Sequence, residues 1–106
     1  MVMKRYFFIV IIAVILMSFT NDKPIIDCKC KGIPLHGRVK VVEYNADFEV
    51  KVVNVQADIE VKKVKVNPQI CGEWQFVESS PDFTIRFVNA HPDFTIRYVN
   101  AHPGTP

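Results

Sequence analysis

Residues 81–91, PDFTIRFVNAH, are followed directly by PDFTIRYVNAH at 92–102, a copy that differs only at Phe87 and Tyr98. Steps of eleven residues then lead back along the chain through ICGEWQFVESS at 70–80, ADIEVKKVKVN at 57–67, ADFEVKVVNVQ at 46–56 and LHGRVKVVEYN at 35–45. The dipeptide Pro68-Gln69 separates the six copies into two runs of three, and each run opens with a copy that has Gly at its third position. This fixed period identifies a tandem repeat.

One copy has the pattern of a short β-strand. In 81–91, the apolar residues Phe83, Ile85 and Phe87 alternate with the polar residues Thr84 and Arg86. Alternation with period two is typical of a strand with one buried face, and the third, fifth and seventh positions of a copy are predicted to face inward. Helices can also repeat every eleven residues, but the prolines at successive steps exclude them here. The sequence predicts an all-β domain of six tandem short strands in two runs of three, a pattern compatible with a small β-solenoid or a compact β-barrel.

Two positions depart from simple alternation. The eighth position is Val in every copy, although alternation would turn it to solvent: Val42, Val53, Val64, Val77, Val88 and Val99. We expect the strand to bend there, as at a β-bulge, so that these valines form a second apolar layer. Lys63 stands at a seventh position, where its relatives are apolar, and is predicted to lie near an edge or opening.

Aspartate marks the start of four copies, always after Ala or Pro: Asp47, Asp58, Asp82 and Asp93. Aspartate accepts hydrogen bonds from backbone N–H groups in turns, so these residues are predicted to have a structural turn role. A calcium array like that of glycine-rich β-rolls would need Gly in the turns, and the whole chain has only four Gly.

The N-terminus has the pattern of an export signal. Lys4 and Arg5 precede an unbroken apolar run at 6–17, and small or polar residues follow. Twelve residues in a helix extend about 18 Å, too little for the ~30 Å of membrane hydrocarbon. We expect cleavage near Ser18 or Thr20 and a secreted or periplasmic protein, with an uncleaved membrane tether as the alternative. The predicted division is a signal peptide at 1–20, an N-terminal arm at 21–34 and the repeat domain at 35–106.

Export favours a disulfide among the three cysteines, Cys28, Cys30 and Cys71. A ring closed by Cys28 and Cys30 would be strained, so the bridge is expected to join the arm to the body. Cys30–Cys71 is the favoured pair and Cys28–Cys71 the alternative. Together with His36, the three thiols could instead form a tetrahedral zinc site, which is the metal-binding alternative.

The repeat resembles the septoil knot domain family of small bacterial proteins. The residues that carry this resemblance are the Ala/Pro-Asp pairs, the Phe-x-Ile/Val pairs and the Val column, across 35–102. The resemblance implies a chain wound as a seven-crossing torus knot and brings no assigned activity. The opening copies depart from the pattern, since His36 and Cys71 replace Asp and both copies lack the first Phe.

Composition argues against nucleic acid as a partner. The chain has 13 basic and 11 acidic residues, and Lys4 and Arg5 of the leader account for the excess, whereas phosphate binding needs a basic surplus on one face. One column of the repeat is basic, but acidic neighbours predict a solvated mixed-charge face; its members are Lys40, Lys51, Lys62, Arg86 and Arg97.

The remaining candidates for chemistry have plain structural interpretations. His91 and His102 are interpreted as turn residues, and Trp74 with Phe76 as core residues. No motif for nucleophilic catalysis is present, so the chain is predicted not to be an enzyme and to need no cofactor. The predicted function is an exported, non-catalytic structural or binding domain, with a metal-binding protein and a small hydrolase or inhibitor as alternatives. Its partner is predicted to be an unknown ligand or protein, with no stable membrane span after cleavage and a monomer favoured over an oligomer.

Overall fold

The structure, a computed structural model, describes residues 23–106 and is all-β. A short antiparallel pair belongs to the arm, and one strand comes from each repeat copy. The strands are β1 (Lys29–Cys30), β2 (Ile33–Pro34), β3 (Gly37–Val41), β4 (Phe48–Val52), β5 (Ile59–Lys63), β6 (Glu73–Phe76), β7 (Phe83–Phe87) and β8 (Phe94–Tyr98). The predicted signal peptide at 1–20 lies outside the described residues. No part of residues 23–106 forms the long apolar helix that a membrane span requires.

The six repeat strands form a closed barrel in the order β3-β6-β5-β8-β4-β7. All six pairings are parallel. Each pairing joins a strand of the first run, β3 to β5, to a strand of the second run, β6 to β8. The two runs therefore interleave, and the β-barrel alternative describes the sheet. The knotted winding of the chain stays a prediction.

The register advances by two residues at each step around the barrel. Gly37, at the third position of its copy, lies opposite Trp74 at a fifth position, and Phe83 at a third position lies opposite Val39 at a fifth. A stagger of about 6.6 Å against a strand spacing of about 4.8 Å tilts the strands by about 54°, steeper than the usual range. A five-residue strand then rises only about 10 Å along the barrel axis. A connection as short as 42–47 can therefore carry the chain from the carboxyl end of β3 back to the amino end of β4.

The core is built from the third and fifth positions. Every fifth-position residue is fully buried: Val39, Val50, Val61, Trp74, Ile85 and Ile96. At the third positions, Phe48 packs edge-to-face against Phe83 and Phe94, with ring centroids 5.6 and 5.4 Å apart. The indole Nε1 of Trp74 donates a hydrogen bond of 3.0 Å to the carbonyl of the buried Leu35. The core interpretation of Trp74 is thus confirmed, and burial of each such side chain stabilises the fold by about 1.5–3 kcal/mol.

The seventh and eighth positions differ from the predictions. Seventh-position residues such as Phe87, 44% exposed, lie at the end of the barrel rather than in its core. Each strand ends there, and the eighth-position valines are half-buried and outside the core cluster. Their N–H groups continue the ladder instead, as Val42 does to the Ile85 carbonyl and Val88 to the Val50 carbonyl, both at 2.9 Å. The predicted second apolar layer is not formed, because the tilted strands leave the barrel wall at this point.

The eleventh position of every copy adopts a left-handed backbone conformation, with φ between 51° and 56°. His91 and His102 occupy two of these positions and are exposed, which agrees with their interpretation as turn residues. Asn is the residue other than Gly that tolerates this region best, and it occupies two of the other positions. No single residue type marks this turn in the sequence, because four residue types share the position.

Gly72 is required by a close approach of backbone. Its φ is +86°, and a Cβ there would lie 2.4 Å from the carbonyl oxygen of Glu60 and 2.6 Å from the nitrogen of Gly104. Glu60 and Gly104 exchange two backbone hydrogen bonds of 2.8 Å at this point. Neither of these backbone atoms can move away without breaking that bridge.

We expect Gly72→Ala to lower the free energy of unfolding by about 3 kcal/mol or more, since it adds a backbone clash to an unfavourable φ. Gly32→Ala is the matched control: its φ is +81°, but nothing lies within 4 Å of the added Cβ. It should cost only about 1 kcal/mol. Denaturant titration of both variants measures the difference, and equal losses would contradict the role given to the Glu60–Gly104 bridge.

The interleaved topology predicts that the first run cannot form its sheet alone. A monomeric fragment of residues 23–67 contains β3, β4 and β5, whose ladder partners all lie in the other run. We expect its circular dichroism spectrum to be that of an unfolded chain, with the full chain in the same buffer as the control. A β-sheet spectrum from a fragment shown by sedimentation to be monomeric would contradict this prediction.

Candidate functional site

Because the six barrel strands are parallel, their carboxyl ends lie together at one end of the barrel. We call the seventh-position residues at this end the carboxyl mouth; in order around the barrel they are Val41, Phe76, Lys63, Tyr98, Val52 and Phe87. Val41, Val52, Phe76 and Phe87 are 36–46% exposed. The mouth is therefore a partly exposed apolar and aromatic ring, interrupted by one lysine.

Lys63 is held between two aromatic rings. β5 pairs with β6 on one side and with β8 on the other, which places Lys63 between Phe76 and Tyr98. Its Nζ lies 4.3 Å from the Tyr98 ring centroid and 5.9 Å from that of Phe76. Such cation–π contacts keep an ammonium group at an apolar surface. The structure thus places Lys63 at an opening of the barrel.

A shallow groove of about 270 Å³ lies beside Lys63, lined by Lys62, Lys63, Tyr98, Val99 and Asn100. Burial raises the pKa of the Tyr98 phenol above its usual value, so the hydroxyl remains protonated at neutral pH. The groove thus combines two ammonium groups, a phenol and an amide with the apolar faces of Tyr98 and Val99.

The aspartates lie at the opposite end of the barrel and do not cap their own turns. Asp47 accepts a hydrogen bond of 2.9 Å from the backbone N–H of Thr84, and its own N–H donates to the Thr84 hydroxyl. Asp58 and Thr95 repeat this arrangement. The partners are 37 residues apart in sequence. These two aspartates therefore tie one run to the other.

The other two aspartates bind the first run in the same way. Asp82 accepts from the N–H of Arg38 at 2.8 Å, and Asp93 accepts from the N–H of Glu49 at 2.7 Å. The two-residue stagger puts the second position of each copy beside the fourth position of its neighbour. The aspartates thus accept hydrogen bonds from backbone N–H groups, but the donors belong to the neighbouring strand rather than to a turn.

Three members of the basic column lie opposite acidic residues on the outer face, whereas Lys40 and Lys51 lie opposite threonines. Arg86 pairs with Glu49 at 2.6 Å and Arg97 pairs with Glu60, in both cases across a parallel ladder. Lys62 lies opposite Glu73 in the β5–β6 ladder. These cross-strand pairs give the mixed-charge face that the sequence predicts.

The cysteines pair differently from the favoured prediction. The disulfide joins Cys28 to Cys71, and Cys30 is free and buried. The pairing Cys30–Cys71 is wrong because Cys30, opposite Ile33 in the β1–β2 pair, points into the core and is only 3% exposed. Cys28 precedes β1 with a φ of 54° and is left at the half-buried margin of the core. Cys28–Cys71, the alternative, is the bridge.

The disulfide removes two of the three thiols from the alternative zinc set. His36, its fourth member, has its Nδ1 buried without a hydrogen-bond partner. Across residues 23–106, His, Cys, Asp and Glu side chains form no group of three or more that could hold a metal ion.

The bridge predicts different roles for Cys71 and Cys30. It closes a loop with a sequence separation of 43 residues, so Cys71→Ser should lower the free energy of unfolding by about 4 kcal/mol in the loop-entropy account.

Burial, together with the charge of Asp93, raises the pKa of the Cys30 thiol, so we expect slow alkylation in the folded protein and fast alkylation in denaturant. Mass spectrometry of the alkylated peptides checks this, and a Cys30–Cys71 cross-linked peptide would refute it.

The sequence prediction missed the carboxyl mouth. The sequence interpretation of Phe76 as a core residue is wrong: Phe76 is 36% exposed, and its ring forms a T-shaped pair with that of Trp74, with centroids 6.3 Å apart. The available signal was the seventh-position column itself, which is apolar in five copies and Lys in one. The position at which the barrel wall ends depends on strand tilt, which the column does not encode.

Comparison with known proteins confirms the family resemblance of the repeat. A search of curated proteins finds no significant match. A family model described as the 7(1) septoil knot domain matches residues 32–106, which include all six barrel strands and the whole carboxyl mouth. Since this match covers well over half of the chain, the protein belongs to the septoil knot domain family.

Proposed function

We propose that this protein is an exported, non-catalytic domain that acts as a rigid scaffold and binds a partner at the carboxyl mouth. The observation that carries this proposal is the cluster of exposed apolar side chains at the mouth, which includes Val41, Val52 and Phe87. Apolar groups left half-exposed at one end of an otherwise well-packed barrel are typical of an interaction site.

The scaffold part of the proposal is supported by the way the barrel is closed. Backbone ladders run all the way around it, the aspartates join the two runs, and the disulfide fastens the arm. A rigid support reduces the entropy lost on binding, because the site is already formed. The disulfide and the export pattern of the N-terminus together support a secreted or periplasmic location.

The other candidate functions have less support. The metal-binding alternative needs Cys28 and Cys71 as thiolates, whereas the bridge joins them. A hydrolase needs a nucleophile or a paired acid and base in a cleft. The aspartates at the amino ends of the strands instead accept backbone hydrogen bonds, which leaves them a structural role.

A neutral apolar dye tests the mouth as a binding surface. We expect Nile red to bind the folded protein, and we expect Val41→Thr combined with Val52→Thr to weaken binding about tenfold, because each change removes apolar contact area at the mouth. Fluorescence titration measures the affinity.

The matched control is Val55→Thr combined with Val66→Thr. These valines are 72% and 68% exposed but lie in the connections between strands. The control pair should leave dye affinity unchanged. Equal weakening by both pairs, or no binding by the parent protein, would contradict the proposed site.

A further inference from the structure

The barrel repeats its surface grooves, and this allows one groove to be compared with another. The groove beside Lys63 lies between β5 and β8 and is formed by the sixth and seventh positions of one copy and the seventh to ninth positions of its neighbour. A groove of about 360 Å³ between β3 and β7 is formed by the same positions. The two grooves share a backbone framework and differ in side chains.

The side chains of the two grooves differ in charge, so the grooves are expected to differ in their affinity for anions. In the β3–β7 groove, the charged residues are Glu43 and Arg86, and Arg86 is already paired with Glu49. In the β5–β8 groove, the charged residues are Lys62 and Lys63, with no acidic side chain in the lining. An anion would meet a carboxylate in the first groove and two ammonium groups in the second.

Neither lysine of the β5–β8 groove takes part in an ion pair within residues 23–106. The acidic residue nearest to Lys62 in the ladder is Glu73, whose carboxylate accepts backbone hydrogen bonds from Gln69 and Ile70 at 3.0 and 3.1 Å. Those hydrogen bonds are the main reason that the pKa of Glu73 lies below its usual value, and the nearby charge of Lys62 lowers it by a smaller amount without forming an ion pair. Glu73 is therefore turned toward its own turn, and the ammonium of Lys63 is held by aromatic rings alone.

We propose that the β5–β8 groove is a binding site for a small organic anion, a carboxylate or phosphate carried on an apolar group. The Lys63 and Lys62 ammonium groups would bind the anionic end, with the Asn100 amide and the Tyr98 hydroxyl as further hydrogen-bond donors. The apolar part would lie on Tyr98 and Val99 at the edge of the mouth. This inference rests on the proposed function, since it names the ligand class for one sector of the carboxyl mouth.

Phenyl phosphate and benzoate are suitable probes, with benzyl alcohol and benzylamine as the neutral and cationic controls. In a titration of the ¹⁵N-labelled, oxidised protein followed by NMR, we expect both anions to shift the amides of Lys62, Lys63 and residues 98–100. The controls should leave these amides unshifted. Binding of the anions should weaken as salt rises, because the groove is open to solvent. The stronger of the two anions identifies whether a phosphate or a carboxylate is preferred.

Two charge-removing variants locate the site. Lys63→Gln should weaken anion binding about tenfold, as loss of one charge-assisted contact implies. Lys51→Gln removes the same charge from the sixth position of another copy, outside this groove, and should change the affinity less than twofold. Thermal unfolding of both variants shows whether each retains the fold.

The proposal is overturned if the two variants weaken binding equally, if the shifted amides lie elsewhere, or if the parent protein binds neither anion at millimolar concentration. Nile red binding separates these failures from a failure of the proposed function. A protein that binds the dye at the mouth but no anion keeps the binding surface and loses only the inference about its ligand.

Discussion

The two-residue stagger between neighbouring strands is the constraint on which the rest of the structure depends. An even stagger keeps the third and fifth positions of all six copies on the inner face, whereas a shift of one residue would turn the core outward. It also places the second position of each copy beside the fourth position of its neighbour. The contact of Asp47 with Thr84 and that of Asp82 with Arg38 follow from this placement. One geometric step thus accounts for the core and for the hydrogen bonds at the amino end.

The same stagger explains how six parallel strands can close with short connections. Parallel strands ordinarily need long crossovers, because the chain must return the full length of the strand. Steep tilt shortens the distance to be covered along the barrel axis, so connections such as 42–47 suffice. Interleaving of the two runs then makes every ladder a long-range contact. The fold gains its stability only when both runs are in place, and the Cys28–Cys71 bridge adds the arm to that single unit.

The parallel direction of the strands also separates the two ends of the barrel by chemistry. The amino ends carry the aspartates, whose carboxylates accept hydrogen bonds from backbone N–H groups. The carboxyl ends carry the seventh-position side chains, most of which are exposed, although Tyr98 packs against the core cluster. Because the closing hydrogen bonds lie at the amino ends of the strands, the residues at the carboxyl ends can vary between copies. Lys63 is such a variation. The binding site that we propose therefore lies at the carboxyl mouth.

The sequence by itself determined the eleven-residue period, the six repeat strands and their inward third and fifth positions, because these depend on local alternation. The cysteines and the export pattern also predicted a disulfide between arm and body. The sequence also indicated that Lys63 was unusual. The strand order, the interleaving of the runs, the choice of Cys28 over Cys30 and the partners of the aspartates were decided only by the tertiary structure. Each of these depends on which distant segments become neighbours, and six similar copies carry no local signal that says which copy pairs with which. The end of the barrel wall, and with it the exposure of Phe76 and Phe87, follows from strand tilt, a property of the closed sheet that no single strand contains.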